Sequence, residues 1–138
     1  MTTIHADLTK AFDVPIKQFG IDNSIIVTLE NIDAPTSTDT PFLNGTMLPA
    51  PVEQADLGHS EFREGIYQID IRYASHLGSL PINEMADLLN AVFKTGATFS
   101  FGDVCVLVTS FDLGPLLVSD GWATRPCSVN WQTYTRRL

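Results

Sequence analysis

Long apolar runs are missing from this sequence. Nothing in its 138 residues approaches the roughly 20 consecutive apolar positions of a bilayer-spanning helix, and the opening Met1-Thr2-Thr3-Ile4-His5-Ala6 lacks the charged-then-apolar order of a secretory signal. The expectation is a protein made and kept in the cytosol, with no membrane partner. Positive charge is scarce as well. Eight Lys and Arg face sixteen Asp and Glu, a formal charge of -8, so repulsion from phosphate argues against tight nucleic-acid binding. The basic residues cluster only at Arg136-Arg137, too few for a groove that tracks DNA but enough to anchor a C-terminus on an acidic neighbour.

The residues of catalysis and metal binding are equally thin. Cys105 and Cys127 have no CxxC spacing and no histidine cluster, which excludes a zinc or redox motif and leaves buried free thiols as the expectation. His5, His59 and His76 lie far apart, without HExxH spacing, and read as surface residues. No GxSxG elbow occurs, and Ser110 and Cys127 have no evident base. Gly58, Gly65, Gly78, Gly96 and Gly102 match neither a P-loop nor GxGxxG and are better explained as turn residues. Asp56, Glu61, Glu64, Asp70, Glu84 and Asp87 have no surroundings that would raise a carboxyl pKa, so they read as a solvated face. Taken together, these absences point to a protein that is not an enzyme and carries no cofactor or metal.

What is present is ordinary folding material. With 44% hydrophobic residues, 9% aromatic and a mean hydropathy of +0.10, the chain should fold as a single domain over residues 1–138. Ile4, Leu8, Ala11 and Phe12 recur at helical spacing. Pro15 should end that helix near Asp13, with Ile16 and Phe19 continuing the apolar face in a second turn. The β-branched run Ser24 to Glu30 reads as a strand, and Phe42 to Leu48 as another. In Ile66 to Tyr73, residues Tyr67, Ile69, Ile71 and Tyr73 alternate with Gln68, Asp70 and Arg72, giving one buried and one wet face. Ile82, Met85, Ala86, Leu89, Val92 and Phe93 mark a second helix, with Pro81 near its start and Gly96 just past its end. Phe99 and Phe101, the turn Gly102-Asp103 and Val104 to Val108 predict a hairpin, and Arg125 to Thr135 a last strand. Only Asp103, Asp112 and Asp120 are charged between Gly96 and Trp122, so this segment should hold the sheet core.

The order helix, strands, helix, strands predicts an α+β fold: a mixed, mostly antiparallel β-sheet with two main α-helices packed on one face. Between the strands, the stretch from Pro49 to Glu64 carries two prolines and is expected to be a long exposed loop. Loops beyond about 12–15 residues are usually binding surfaces or disordered segments, which makes this one the leading contact surface.

Several blocks recur together in one family. Leu48-Pro49-Ala50-Pro51, then Asp56-Leu57-Gly58, then Arg63-Glu64-Gly65-Ile66-Tyr67-Gln68-Ile69-Asp70 resemble a phage protein family associated with tail completion, the tail terminators. Glu30-Asn31 before Pro35 and Pro41, the helix leading into Phe93, and Gly114-Pro115-Leu116 before Asp120-Gly121-Trp122 follow in the same order. The likeness spans nearly the whole chain. It implies a virion protein that forms a closed homomeric ring, typically a hexamer, at the head-proximal end of the tail tube. Its partners would be further copies of itself, the tail tube protein and a head-completion or connector protein, with DNA passing through the ring without specific binding.

A rotational ring needs two different patches per subunit. The expected interface to a neighbour or to the tube comprises Leu48, Pro49 and Pro51, then Leu57, His59 and Phe62 as anchors within a polar excursion, with Arg63 and Glu64 at its end. Arg136 and Arg137 would add a charged C-terminal contact. A carboxylate-lined pore would keep the duplex sliding. A head-side connector or minor tail component is the near alternative. A small-ligand enzyme using the sheet face near Tyr67, Tyr73 and Trp131 is the distant one.

Overall fold

The computed structural model describes residues 4–29, 40–49, 53–54, 60–102 and 104–136. Among them are two α-helices, α1 (Ile4–Asp22) and α2 (Leu80–Val92). Eight strands join in one sheet: β1 (Ile26–Leu29), β2 (Phe42–Pro49), β3 (Glu53–Gln54), β4 (Ser60–Ala74), β5 (Thr98–Phe101), β6 (Val104–Leu113), β7 (Leu117–Ser119) and β8 (Trp122–Arg136). Their order is β1-β2-β4-β8-β6-β5, with β3 added to β4 and β7 to β8. Only β1 and β2 pair in parallel; every other described ladder is antiparallel, as the expected mixed α+β sheet requires.

The sheet is built around β4 and β8, paired without interruption from Ser60↔Arg136 to Ala74↔Trp122. Alternation along both strands sends Tyr67, Ile69, Ile71, Cys127, Val129 and Trp131 to one face, all buried. Both helices cover that face. Leu8, Ala11, Phe12, Ile16 and Phe19 of α1 and Ile82, Met85, Ala86 and Leu89 of α2 join these strand residues in one core. Phe12 stacks on Tyr67 with ring centroids 5.0 Å apart and lies 6.0 Å from Trp131.

Three expectations need correction. The first helix does not end at Asp13; it runs through Pro15 to Asp22. A mid-helix proline costs about 3 kcal/mol. Burying Leu8, Phe12, Ile16 and Phe19 on one continuous face, at roughly 1.5–3 kcal/mol each, outweighs it. The helix stops instead where Ser24 takes a left-handed φ of 55°. There the Ile25 N–H reaches the Gly20 carbonyl at 3.0 Å and the Ser24 N–H the Ile21 carbonyl at 3.4 Å. This is a Schellman-type stop, with serine where glycine is usual.

The second correction concerns the supposed loop at 49–64. β2 continues through Pro49, Glu53 and Gln54 pair with Phe62 and Glu61, and β4 already begins at Ser60. Residues 60–64 are therefore strand, held by the ladder to β8 on their other side. The rest of the stretch, 50–52 and 55–59, lies outside the described residues.

The third concerns the segment between Gly96 and Trp122, which holds only part of the core. Val104, Val106 and Val108 are buried, but Cys105, Leu107, Leu113, Leu117 and Val118 are exposed. The expected burial of both thiols thus holds for Cys127 alone. β8 also begins three residues before the expected Arg125. There the turn Asp120-Gly121, with φ of 53° and 82°, folds it against β7.

Candidate assembly interface

The two faces of the sheet have opposite chemistry because neighbouring residues point oppositely. On the helix-covered face the polar groups are few, and among the described residues the buried Trp131 Nε1 finds no acceptor. The Tyr67 hydroxyl donates to Asp13 Oδ1 at 2.7 Å. Burial, then that bond, then the Asp13 charge hold the phenol well above its ordinary pKa, so it stays a neutral donor. The arrangement depends on Gly45: a Cβ there would lie 2.2 Å from the Tyr67 hydroxyl oxygen. Cys127 is held protonated by burial chiefly, with Asp70 adding and Arg125 opposing, its pKa pushed up to about 12.

No helix among the described residues covers the other face. By register it presents Asn44 and Thr46 from β2, Glu64, Gln68, Asp70 and Arg72 from β4, Ser128 and Asn130 from β8, and Ser110 and Asp112 from β6. The polar groups bond to one another: Asn130 Nδ2 donates to Ser110 Oγ at 2.8 Å and to Asp112 Oδ2 at 2.9 Å, and Gln68 Nε2 to Asp70 Oδ1 at 2.9 Å. This face is mostly amides, hydroxyls and carboxylates, interrupted by Leu48 and Ile66 at one end and Phe42 and Trp122 at the other.

Exposed apolar residues form two patches along the sheet. At the β1 edge, Lys17, Gly20, Ile21, Ile25 and Val27 line a recess of about 320 Å³, with Ile21 72% and Ile26 46% exposed. On the side of β8 away from β1, off the path that ends in β5, β7 pairs with the start of β8 with Leu117 55% and Val118 65% exposed, and Leu113 stands exposed just before it. One patch is a hollow between helix and strand, the other a hairpin.

The residues expected to form the interface are only partly placed. Leu48 is exposed near the end of β2, and Pro49 pairs with Gly65. Phe62 and Arg63 are half-buried and Glu64 exposed, all three within β4 rather than in a loop. Arg136 ends β8 opposite Ser60, which brings the C-terminal strand beside the start of β4. Pro51, Leu57, His59 and Arg137 lie outside the described residues.

The apolar patches were missed because their leucines and valines read as core. The Asp-Gly pair at 120–121 between two β-prone runs is a strong hairpin signal and could have disclosed β7. The alternative ligand site near Tyr67, Tyr73 and Trp131 is not open. Tyr67 and Trp131 are in the core, filled by Phe12. Tyr73 is partly buried against that core, its pKa raised by burial and then by Glu84. Among the described residues no group of His, Cys, Asp and Glu is arranged to hold a metal, and no helix is long and apolar enough to cross a membrane.

The fold thus sets a helix-packed face against a mostly polar one, with exposed apolar residues toward its margins. The family model for phage tail terminator proteins matches residues 7–131, and the chain belongs to that family. It is accordingly a structural protein of the phage tail, and a component of the virion. A solved structure shares the fold at a TM-score of 0.68 and 20% identity, covering 94% of this chain and 92% of the other. Among curated proteins, no sequence matches.

Proposed function

We propose that the chain works as a homo-oligomeric ring, a hexamer by its family resemblance, that caps the head-proximal end of the tail tube and presents the surface to which the head joins. The observation that carries this reading is the pair of unlike apolar patches. Head-to-tail rings use two different patches per subunit, and a patch that matches only the other patch of a second copy generates a closed cycle when the rotation fits. The β7 hairpin supplies the knob, with Leu117 and Val118. The recess between α1 and β1 supplies the hole.

In such a ring the bare polar face turns to the lumen. Its carboxylates Glu64, Asp70 and Asp112 repel the phosphates of passing DNA. The end of the sheet formed by Leu48, Pro49 and Phe62 to Glu64, with Arg136 at the end of β8, forms the contact with the tube; Pro51, Leu57, His59 and Arg137, which lie outside the described residues, belong to the same proposed contact by sequence. The head-completion protein docks on the opposite rim.

Native mass spectrometry and sedimentation of the purified chain test this. Val118→Lys, at an exposed site, should leave thermal unfolding within about 0.5 kcal/mol of the parent and shift rings to monomers. A parent that stays monomeric at high concentration and on isolated tails, or a Val118→Lys protein that assembles like the parent, overturns the reading.

A further inference from the structure

On the bare face, at the end near the Asp120-Gly121 turn, lies a second recess of about 380 Å³, lined by Gln68, Asp70, Arg72, Trp122 and Thr124 among others. Its chemistry differs from the rest of that face. Arg72 is the one basic group among the described side chains there, and its guanidinium carbon sits 5.6 Å from the centre of the Phe42 ring. Phe42 is itself fixed edge-on against Trp122 at 5.2 Å and is only 2% exposed. The guanidinium thus lies over a buried aromatic ring, within cation–π range. It has no ion-pair partner among the described residues, and its Nε–H is buried without an acceptor. The nearby Asp70 is already engaged by Gln68.

A desolvated donor without an acceptor costs about 1–3 kcal/mol, more when charged, and a planar guanidinium best matches a carboxylate or phosphate approached through two parallel bonds. We propose that this recess is a docking site for a single carboxylate side chain on an acidic segment of another virion polypeptide. Charge decides between the two anions. Asp70 and Asp120 stand in the same wall and the chain carries a formal charge of -8. A duplex, with a charge every ~1.7 Å, would press several phosphates against those carboxylates, whereas one carboxylate can reach Arg72 alone. Trp122 offers an apolar wall for the segment's aliphatic carbons, and Thr124 and Gln68 offer hydroxyl and amide groups beside it. The site lies at the head-facing rim assigned in the ring reading, and to that extent rests on it.

The test uses the full chain and three probes: a short, otherwise neutral peptide carrying one Glu, the same peptide with that Glu replaced by Gln, and a short DNA duplex. Side-chain NMR signals of Arg72 and Trp122 report binding. The Glu peptide should shift both signals and bind at least tenfold more tightly than the Gln peptide, and the duplex should shift neither. Arg72→Lys, which keeps the charge but loses the planar fork, and Arg72→Gln should each reduce Glu-peptide affinity at least tenfold while the unfolding midpoint of at least the lysine variant stays near the parent's. Equal binding of the Gln peptide, stronger binding of the duplex, or unchanged affinity in a folded Arg72→Lys protein overturns the proposal. Oligomer mass measured on the same samples separates the two ideas, because peptide binding is read whether or not rings form.

Discussion

On the helix-covered face of the sheet, β4 and β8 present Tyr67, Ile69, Ile71, Val129 and Trp131, all closed to solvent. One residue along each strand, the bare face presents Gln68, Asp70, Ser128 and Asn130. The strands, ladders and backbone are shared, so the difference lies wholly in what each face must meet. The first is a jigsaw of rings and branched chains, where volume and hydrogen-bond satisfaction fix a single packing. The second is mostly polar and bonded largely to itself. The two-residue period of a strand thus separates the packed core from the surface proposed here to meet other molecules.

The most severe way to break this contrast is to put a charge on the wrong side. Val106→Asp places an unpaired carboxylate at a fully buried position, a loss on the order of 5 kcal/mol or more, comparable to the whole stability of a small domain. Circular dichroism should show no cooperative unfolding transition.

Next in size is Tyr67→Phe, which keeps the ring stacked on Phe12 but removes the hydroxyl bonded to Asp13. A hydrogen bond to a charged acceptor contributes about 1.5–3 kcal/mol, measurable by urea denaturation. The same variant has a pH signature. Folded Tyr67 and Cys127 hold their protons above their ordinary values of 10.0 and 9.0. The folded state therefore binds more protons than the unfolded state at high pH, and stability is fully present below about pH 9 and falls as pH rises beyond it. Tyr67→Phe should flatten the part of that fall above pH 10. An unchanged alkaline slope would refute the assignment.

The smallest effect sharpens the comparison most. Val129→Ala and Ser128→Ala alter adjacent residues on opposite faces. The first should lose about 1.5–3 kcal/mol as buried apolar surface goes, the second stay within about 0.5 kcal/mol of the parent. Equal losses by denaturant titration would mean that the bare face contributes to folding after all.

Much of this was legible beforehand. The helix over Ile82 to Phe93 and the strand around Tyr67 to Tyr73 declare themselves because their periods, near 3.6 and 2, leave little choice of face. The turn at Gly102 was readable from its glycine. Pro15 misled because a local penalty was weighed without the tertiary face that overrides it. The prolines after Leu48 suggested a loop reaching to Glu64, whereas β4 begins at Ser60, held there by the ladder to β8, a partner remote in sequence. The candidate interface was legible only in part: Leu48 was singled out and is exposed, but Leu117 and Val118 look like any core pair in a list of letters. Arg72 read merely as one polar residue in an alternating strand; its place on Phe42 beside Trp122 depends on three strands meeting.

By itself the sequence determined the fold class, the two main helices and which residues of each strand share a face, because these follow from spacing and side-chain chemistry within one segment. Its ordered blocks also carried the resemblance to tail terminators. Only the tertiary structure decided which apolar residues stay uncovered, where the helix through Pro15 ends and that the buried Arg72 Nε–H meets no acceptor among the described residues. Exposure and partnership are properties of what lies across a gap in space, and distance along the chain does not encode that gap.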